Sequence, residues 1–393
     1  MNRIIKLVVM IIVVLLINSI YPLQTYAVPN EGSGIQSQVM ESISFDEVKG
    51  YWNEVVNEYG GYLPGIQKTS FLEFIQNQDS LSLKDWIIGV TEFFFHELVM
   101  NGKLLGTLIM LTLFCMILQS LQTAFESKTV SKVAYSIIYL VLIVLALNSF
   151  KLAASYVNDT INVMSDFMIA LLPLMLGLMA SFGNIAAVSF FHPVIIFLIH
   201  TSVLLVSNIV IPLFFLSALL NIVSTLSDEY KVTQLADLLK NIGLALLGAF
   251  LTIFLGVISV QGAVSAVQDG VAMKTAKFVT GNFIPVVGRM FTDATDTILT
   301  ASLLLKNAVG LVGVVILIGL VLFPAIKIFV ISLIYKITSA LLQPIGDGPV
   351  ITCMNTISKH ILYIFASLLV VSFMFFFAIV ILVASSNLTL MLR

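Results

Sequence analysis

Three charged residues and a threonine recur at helical spacing in one short segment of an otherwise apolar chain. They are Arg289, Asp293, Asp296 and Thr300, and the first three are separated by four and then three positions. Residues at positions i, i+4 and i+7 share one side of an α-helix. Because such a side can pair charges or line an aqueous path, these four residues are the candidate functional face.

The candidate functional face cannot lie against lipid. One charge at the bilayer centre costs about 2.5 to 3.5 kcal/mol, so three charges would cost about 8 to 10 kcal/mol. A pair between Arg289 and Asp293 within the helix returns only about 0.3 to 0.5 kcal/mol. Two alternatives remain: a solvated helix at the membrane surface, or a re-entrant or lumen-facing element that meets water or a partner charge.

Helix-breaking residues lie beside this face. Pro285 stands between Gly281 and Gly288, and a proline within a helix removes one backbone hydrogen bond and clashes with the preceding turn. Pro173 lies in a second short apolar segment. We predict helix breaks at Pro173 and Pro285, and the two glycines allow close packing or a sharp bend.

Motifs for catalysis or cofactor binding are incomplete in this sequence. His96-Glu97 begins like a zinc-protease helix, but the second histidine of that motif is missing. Met273 stands where a phosphate-binding loop needs glycine. His192 and His200 have no carboxylate or thiol nearby in sequence, so we expect both to be hydrogen-bonded inside the bundle. We therefore predict no enzymatic activity, no metal site and no cofactor.

The composition is that of a membrane protein. Of 393 residues, 59% are hydrophobic and 10% are charged, whereas a soluble domain carries about 25% charged residues. Apolar runs of nearly 20 residues recur, and about 20 such residues cross a bilayer as a helix. The net charge of −2 does not favour a nucleic-acid partner. Cys115 and Cys353 are isolated and are interpreted as packing residues.

The N-terminal segment has the pattern of a cleavable signal peptide. Arg3 and Lys6 precede an apolar stretch at residues 7–17, and Ala27 ends a short segment suited to cleavage. We predict that residues 1–27 are removed, and an uncleaved anchor is the alternative.

Residues 28–100 are predicted to form an extracytoplasmic region of amphipathic helices. The first helix carries its apolar residues at helical spacing. They are Phe45, Val48, Trp52, Val55 and Tyr59. The second helix has Trp86 and Phe93 on its apolar side. Two alternatives stay open: helices that lie in the membrane interface, or a small helical cap packed on the membrane domain.

Residues 101–393 are predicted to form a polytopic helical membrane domain, so the fold class is all-α. The first loop between spans holds Lys128 and Lys132, and positive residues in short loops favour the cytoplasm. The Pro-containing segments 167–182 and 185–224 are ambiguous. We predict seven or eight crossings, depending on whether these segments cross the membrane fully.

Two proline pairs indicate an internal repeat. Pro173 and Pro285 are 112 positions apart, and so are Pro212 and Pro324. Transporters often consist of repeats with broken helices at matching positions. The alternative is that two pairs among ten prolines agree by chance.

One long segment resembles a known family. Residues 277–310, KFVTGNFIPVVGRMFTDATDTILTASLLLKNAVG, closely resemble the stage III sporulation protein AE family. Residues 166–184, 191–193 and 340–347 resemble the same family, and with the signal peptide and polytopic plan the resemblance covers nearly the whole chain.

The resemblance implies a location and partners. Proteins of this family are expected in the mother-cell membrane around the forespore, in an assembly with a secretion-type ATPase, ring-forming proteins and small membrane subunits. The implied function is that of a membrane component of a mother-cell-to-forespore channel required for endospore formation. A non-conducting scaffold of that complex and a secondary transporter for a small solute are the alternatives.

Overall fold

The computed structural model describes residues 45–63, 65, 70–76, 83–124, 128–181, 185–225, 231–283, 287–346 and 348–391. The predicted signal peptide and its cleavage site lie outside these ranges. Between residues 276 and 304 the description is limited to the helical backbone on either side of residues 284–286.

Ten α-helices account for almost all of the described chain, in which no strand occurs. They are α1 (Asp46–Tyr59), α2 (Phe71–Gln76), α3 (Leu83–Met100), α4 (Gly102–Ala124), α5 (Lys128–Ser181), α6 (Ile185–Leu205), α7 (Ile211–Val223), α8 (Thr233–Phe283), α9 (Val287–Leu342) and α10 (Pro349–Met391). A 3₁₀ turn, Gly60–Tyr62, follows α1, and a π-helical turn, Val206–Val210, joins α6 to α7. The all-α prediction is confirmed.

Six stretches are long and apolar enough to cross a membrane, among the residues described. They are Gly102–Leu121, Val133–Ala180, Phe191–Val223, Thr233–Ser265, Leu305–Leu342 and Pro349–Ser385. α5 has 54 residues and α9 has 56, so each is about 80 Å long at a rise of 1.5 Å per residue. Since a hydrocarbon core is about 30 Å thick, these helices extend well beyond it.

The antiparallel pair of α9 and α10 forms the centre of the bundle, and α5 packs against both helices. The Tyr335 hydroxyl of α9 donates a hydrogen bond to Ser149 Oγ of α5 over 2.8 Å. Ser332 Oγ of α9 donates to the Ser358 carbonyl of α10 over 2.9 Å. Phe323 and Tyr335 are fully buried, so aromatic packing and interhelical hydrogen bonds hold the centre together.

A predicted break at Pro173 is wrong. α5 continues through Pro173 to Ser181, so segments 133–150 and 167–182 belong to one helix. A proline removes only one intrahelical hydrogen bond. Its neighbours Leu172, Leu174 and Met175 are buried in the core, and this packing keeps the helix continuous.

The expected interruption near Pro212 is also absent. Residues 191–223 form one helical path, in which the wide turn Val206–Val210 precedes α7 and Pro212 lies in the first turn of α7. A proline is tolerated in the first turn, where its missing N–H has no partner to lose. Both ambiguous segments lie in continuous helices, and the described ranges hold six candidate crossings. The total of seven or eight crossings stays a prediction.

The two cysteines have the role expected of them. Cys115 and Cys353 are both free and fully buried. They fill space within the helical bundle, which confirms the interpretation as packing residues.

Candidate functional site

The predicted charged face lies on the first turns of α9. The helix begins at Val287, so residues 289, 293, 296 and 300 share one side of a continuous α-helix by register. The side chains of Arg289, Asp293, Asp296 and Thr300 lie outside the described part of the chain. The choice between a lumen-facing and a surface face therefore stays a prediction.

The predicted break at Pro285 lies between two long helices. α8 ends at Phe283 and α9 begins at Val287. Pro285 itself lies outside the described residues. Gly281 is in the last turn of α8, and Gly288 is in the first turn of α9.

Two polar residues that sequence reasoning missed follow this face along α9. Lys306 is fully buried, and its ammonium group donates a hydrogen bond to the Val383 carbonyl of α10 over 2.8 Å. Asn307 lies 18 positions after Arg289, which is five helical turns, so it continues the predicted face by register. Its buried Oδ1 has no hydrogen-bond partner among the described residues. In the sequence, these two residues could have been found as a Lys-Asn pair inside a long apolar run.

A second polar surface, also missed from sequence, runs along α5. We name it the α5 stripe: Ser155, Asp159, Asn162 and Asp166, all of which are exposed. The residues recur at intervals of four, three and four positions and so share one side of the helix. Ser155 Oγ donates a hydrogen bond to Asp159 Oδ2 over 3.1 Å.

The surroundings of the α5 stripe change along the helix. Before it, α5 exposes large apolar side chains such as Ile137, Leu140 and Val144, which are 54 to 57% exposed. From Ser155 to Asp166 the exposed side chains are polar. Two carboxylates facing lipid would each cost about 2.5 to 3.5 kcal/mol at mid-depth. The α5 stripe therefore meets water, although it follows an apolar part of the same helix.

The N-terminal helices pack on the bundle beside the α5 stripe. All five apolar residues predicted for α1 are buried. Tyr59 stacks on Phe323 of α9 with 4.0 Å between ring centroids, and Tyr51 meets the Phe167 ring of α5 edge-on at 5.4 Å. Of the two alternatives for this region, the packed cap is the one observed for α1.

A tight contact between Val55 of α1 and Gly319 of α9 fixes where α1 packs. A methyl group placed on Gly319 of α9 would lie only 2.7 Å from Val55 Cγ1 of α1. Glycine at position 319 therefore leaves the space that the Val55 side chain occupies. We call the contact formed by Val55, Tyr59, Gly319 and Phe323 the docking junction.

One cation lies at the edge of the docking junction. Lys327 Nζ of α9 is 6.0 Å from the centre of the Tyr59 ring and 5.9 Å from that of Tyr156 on α5. A lysine at this distance over aromatic rings is attracted to their faces. The cation thus joins α1, α5 and α9 beside Tyr156, the residue that follows Ser155.

The side of the bundle that carries the α5 stripe is acidic. Burial raises the pKa of the Tyr51 hydroxyl, and the nearby carboxylate of Asp166 raises it further, followed by Glu54 and Glu47. The negative charges of these carboxylates disfavour the ionised form of the Tyr51 hydroxyl. The carboxylates of Asp166, Glu54 and Glu47 therefore lie close enough to Tyr51 to act on it.

The histidines differ in their surroundings. His192 and His200 are exposed on α6, so the expectation that both lie inside the bundle is wrong. Two four-residue steps separate these histidines, which keeps them on one side of α6, and Phe197 is exposed near His200. His360 is the buried histidine. Its ring nitrogens lie 3.0 Å from Ser217 Oγ and 2.8 Å from the Thr356 carbonyl.

The Ser217–His360 contact has the atoms of a nucleophile and a base, but it is a structural tie. Ser217 is fully buried and its hydroxyl also donates to the Ala236 carbonyl over 2.7 Å. A substrate cannot reach a hydroxyl that three helices enclose. The contact joins α7, α8 and α10.

Comparison with known proteins places these features in a family. The profile of the stage III sporulation protein AE family matches residues 66–386. The chain is also similar to "Stage III sporulation protein AE" of Bacillus subtilis (strain 168), with 57% identity over 352 residues, which are 90% of this chain and 88% of the relative. The chain belongs to the stage III sporulation protein AE family. No solved structure matches it.

Family membership gives the chain a role in sporulation, as the resemblance over residues 277–310 predicted. The matched region contains the α5 stripe, the predicted face on α9 and the two α9 residues of the docking junction. With its six long apolar helices, this member of the stage III sporulation protein AE family is a membrane protein.

Proposed function

We propose that the chain is a membrane component of the mother-cell-to-forespore channel complex required for endospore formation, and that the α5 stripe lines the aqueous side of that channel. The mother-cell membrane around the forespore is the proposed location, and the cap of residues 28–100 lies outside the cytoplasm. The proposed partners are a secretion-type ATPase, ring-forming proteins and small membrane subunits.

The α5 stripe is the observation that carries this proposal. It holds two exposed carboxylates in a helix that also contains a long apolar stretch. An ionisable residue within a membrane helix commonly marks a path for water or ions. The acidic side chains of α1 lie next to the stripe, so the water-facing side includes the N-terminal cap as well.

The complex, and not a single copy, supplies the path. The described centre of one chain is filled by large side chains, such as the fully buried Phe323, Tyr335 and Phe375. A path therefore runs along the outside of the bundle, between this chain and its neighbours. The filled centre also favours the second candidate function, a scaffold that organises the complex without conducting.

Charge reversal of the α5 stripe separates the two candidates. The variant carries Asp159→Lys and Asp166→Lys, and the matched control carries Asp237→Lys, which replaces an exposed acid of α8. The control breaks a surface pair with Lys240, and such pairs are worth about 0 to 1 kcal/mol.

We expect the stripe variant to lower heat-resistant spore counts at least 100-fold while its membrane level stays within two-fold of the native chain. The control should sporulate like the native chain. Normal spore counts from the stripe variant would contradict the channel-lining role and leave the scaffold. Co-purification from sporulating cells in mild detergent tests membership, and a preparation without the ATPase and the ring proteins would contradict the complex.

A further inference from the structure

The exposed side of α8 differs in composition from the exposed sides of the other apolar helices. α4 exposes large side chains, including Met110, Phe114 and Ile117, at 56 to 61%. Among the described side chains from 245 to 267 on α8, none of the exposed ones is Leu, Phe or Met. Small and β-branched residues occupy this side instead. Small residues are enriched where membrane helices pack against each other, because they let backbones approach closely.

The side consists of two parallel stripes. Ile253, Val257, Val260 and Val264 form a ridge and are 39 to 65% exposed. Their intervals of four, three and four positions are those of a helix that packs along a partner helix.

One position before each ridge residue lies a small one. Thr252, Gly256, Ser259 and Ala263 are exposed and form a groove that runs beside the ridge. The ridge and the groove run side by side over about three helical turns.

Two glycines on this side have no explanation within the chain. A methyl group on Gly248 or Gly256 would meet no atom within 4 Å. In contrast, a methyl group on Gly243 or Gly262 of the same helix would lie 2.7 to 2.8 Å from the side chain of Phe214 or Ile381. A glycine in a helix interior destabilises the helix relative to alanine. The two outward glycines add to the small side chains of the groove and leave room for a backbone from outside the chain.

We propose that this side of α8 is a self-association surface on which a second copy of the chain packs, helix against helix. The parallel ridge and groove favour a second copy of the chain as the partner. Consider two parallel copies related by a two-fold axis that lies between them and runs parallel to α8. The ridge side of one copy then faces the groove side of the other. The ridge of each copy then lies in the groove of the other, so the surface is complementary to itself. This inference does not depend on the channel role of the α5 stripe.

Disulfide cross-linking in membranes tests the proposal. The full-length chain is made with Val260→Cys, in cells that lack the other proteins of the complex, and membranes are treated with a mild oxidant. The matched control is Phe114→Cys, an exposed apolar position of α4 with 56% exposure. The native Cys115 and Cys353 are buried, so the unmodified chain gives the background.

We expect Val260→Cys to give at least ten-fold more covalent dimer than Phe114→Cys. Adding Gly256→Leu should lower the Val260→Cys dimer at least five-fold, because the larger side chain fills the groove. Adding Gly106→Leu on α4, where a methyl group would also meet no atom within 4 Å, should leave it unchanged. Equal dimer from Val260→Cys and Phe114→Cys would overturn the proposal, as would a dimer that is insensitive to Gly256→Leu.

Discussion

The α5 stripe and the exposed side of α8 are two surfaces of one bundle with opposite chemistry. Along α10, Ser372 Oγ contacts Met164 Sδ of α5 at 3.6 Å, and Ile381 lies against Gly262 of α8. These contacts are about 14 Å apart on α10, so the two surfaces lie at successive levels along the bundle. Carboxylates are exposed on one and valines on the other.

This difference shows that lipid does not cover both surfaces. Lipid on every side would leave the carboxylates of Asp159 and Asp166 uncompensated, and water on every side would leave the valine ridge uncovered. The α5 side meets water and the α8 side meets apolar groups.

The largest expected effect comes from placing carboxylates, like those of the α5 stripe, on the exposed apolar side of α8. Val260→Asp with Val264→Asp places two carboxylates on the apolar side, at a cost of about 5 to 7 kcal/mol. Because this is comparable to the total stability of many proteins, we expect the variant to disappear from the membrane fraction on immunoblots. The matched change on α5, Asn162→Asp, should leave the level unchanged. A normal level of the α8 variant would show that this side is wet.

The docking junction gives the next largest effect. Tyr59→Ala removes a ring stacked on Phe323, and truncating a buried aromatic residue typically costs about 3 to 5 kcal/mol. We expect α1 to leave the bundle, so that limited proteolysis cuts between residues 60 and 70 at least ten-fold faster. Asn53→Ala, a change of an exposed residue of α1, should not alter the cutting rate. Equal rates for both variants would contradict the packed cap.

The charged face on α9 can be assigned to the wet or to the apolar side by charge reversal. If Arg289 balances Asp293 in a buried or lumen-facing arrangement, Arg289→Glu leaves uncompensated charge that costs about 3 to 5 kcal/mol. Spore counts should fall sharply at unchanged protein level, and the swap Arg289→Asp with Asp293→Arg should recover part of them. If the face is a solvated surface helix, the pair is worth about 0 to 1 kcal/mol. Near-normal spore counts for Arg289→Glu would then support the surface arrangement.

The smallest effect concerns two outward glycines. Replacing a helical glycine with alanine stabilises the helix by about 1 kcal/mol when nothing is displaced. We expect Gly106→Ala on α4 to leave or raise the membrane level and spore counts slightly. Gly256→Ala on α8 should lower covalent dimer formation through Val260→Cys about two-fold, since one methyl group partly fills the groove. Identical behaviour of the two variants would remove the distinction between the α4 and α8 surfaces.

Periodicity predicted the parts of the fold that depend on local pattern. The buried side of α1, from Phe45 to Tyr59, follows from helical spacing of apolar residues alone. The spans on either side of the loop with Lys128 and Lys132 were predicted from continuous apolar length, which is also a local property. The motif at residues 277–310 was long enough to indicate the family.

Features that depend on long-range packing were not predictable from the sequence. Whether α5 continues through Pro173 depends on the core that surrounds Leu172 and Met175. His192 and His200 were expected inside the bundle because sequence shows a residue's helix but not which side of that helix is covered. The α5 stripe was visible as Asp159, Asn162 and Asp166 at helical spacing, yet its exposure follows only from the arrangement of α1, α9 and α10.

Thiol accessibility tests the central claim, that the bundle has a wet α5 side and a dry α8 side. Single cysteines are introduced by Asp159→Cys on α5 and Val260→Cys on α8, in cells that have not completed engulfment, and a charged, membrane-impermeant maleimide is added. The claim predicts rapid labelling of Asp159→Cys and labelling of Val260→Cys at least ten-fold slower, with both sites labelled equally after denaturation. Equal labelling rates at the two positions in intact cells, or faster labelling at Val260→Cys, would contradict it.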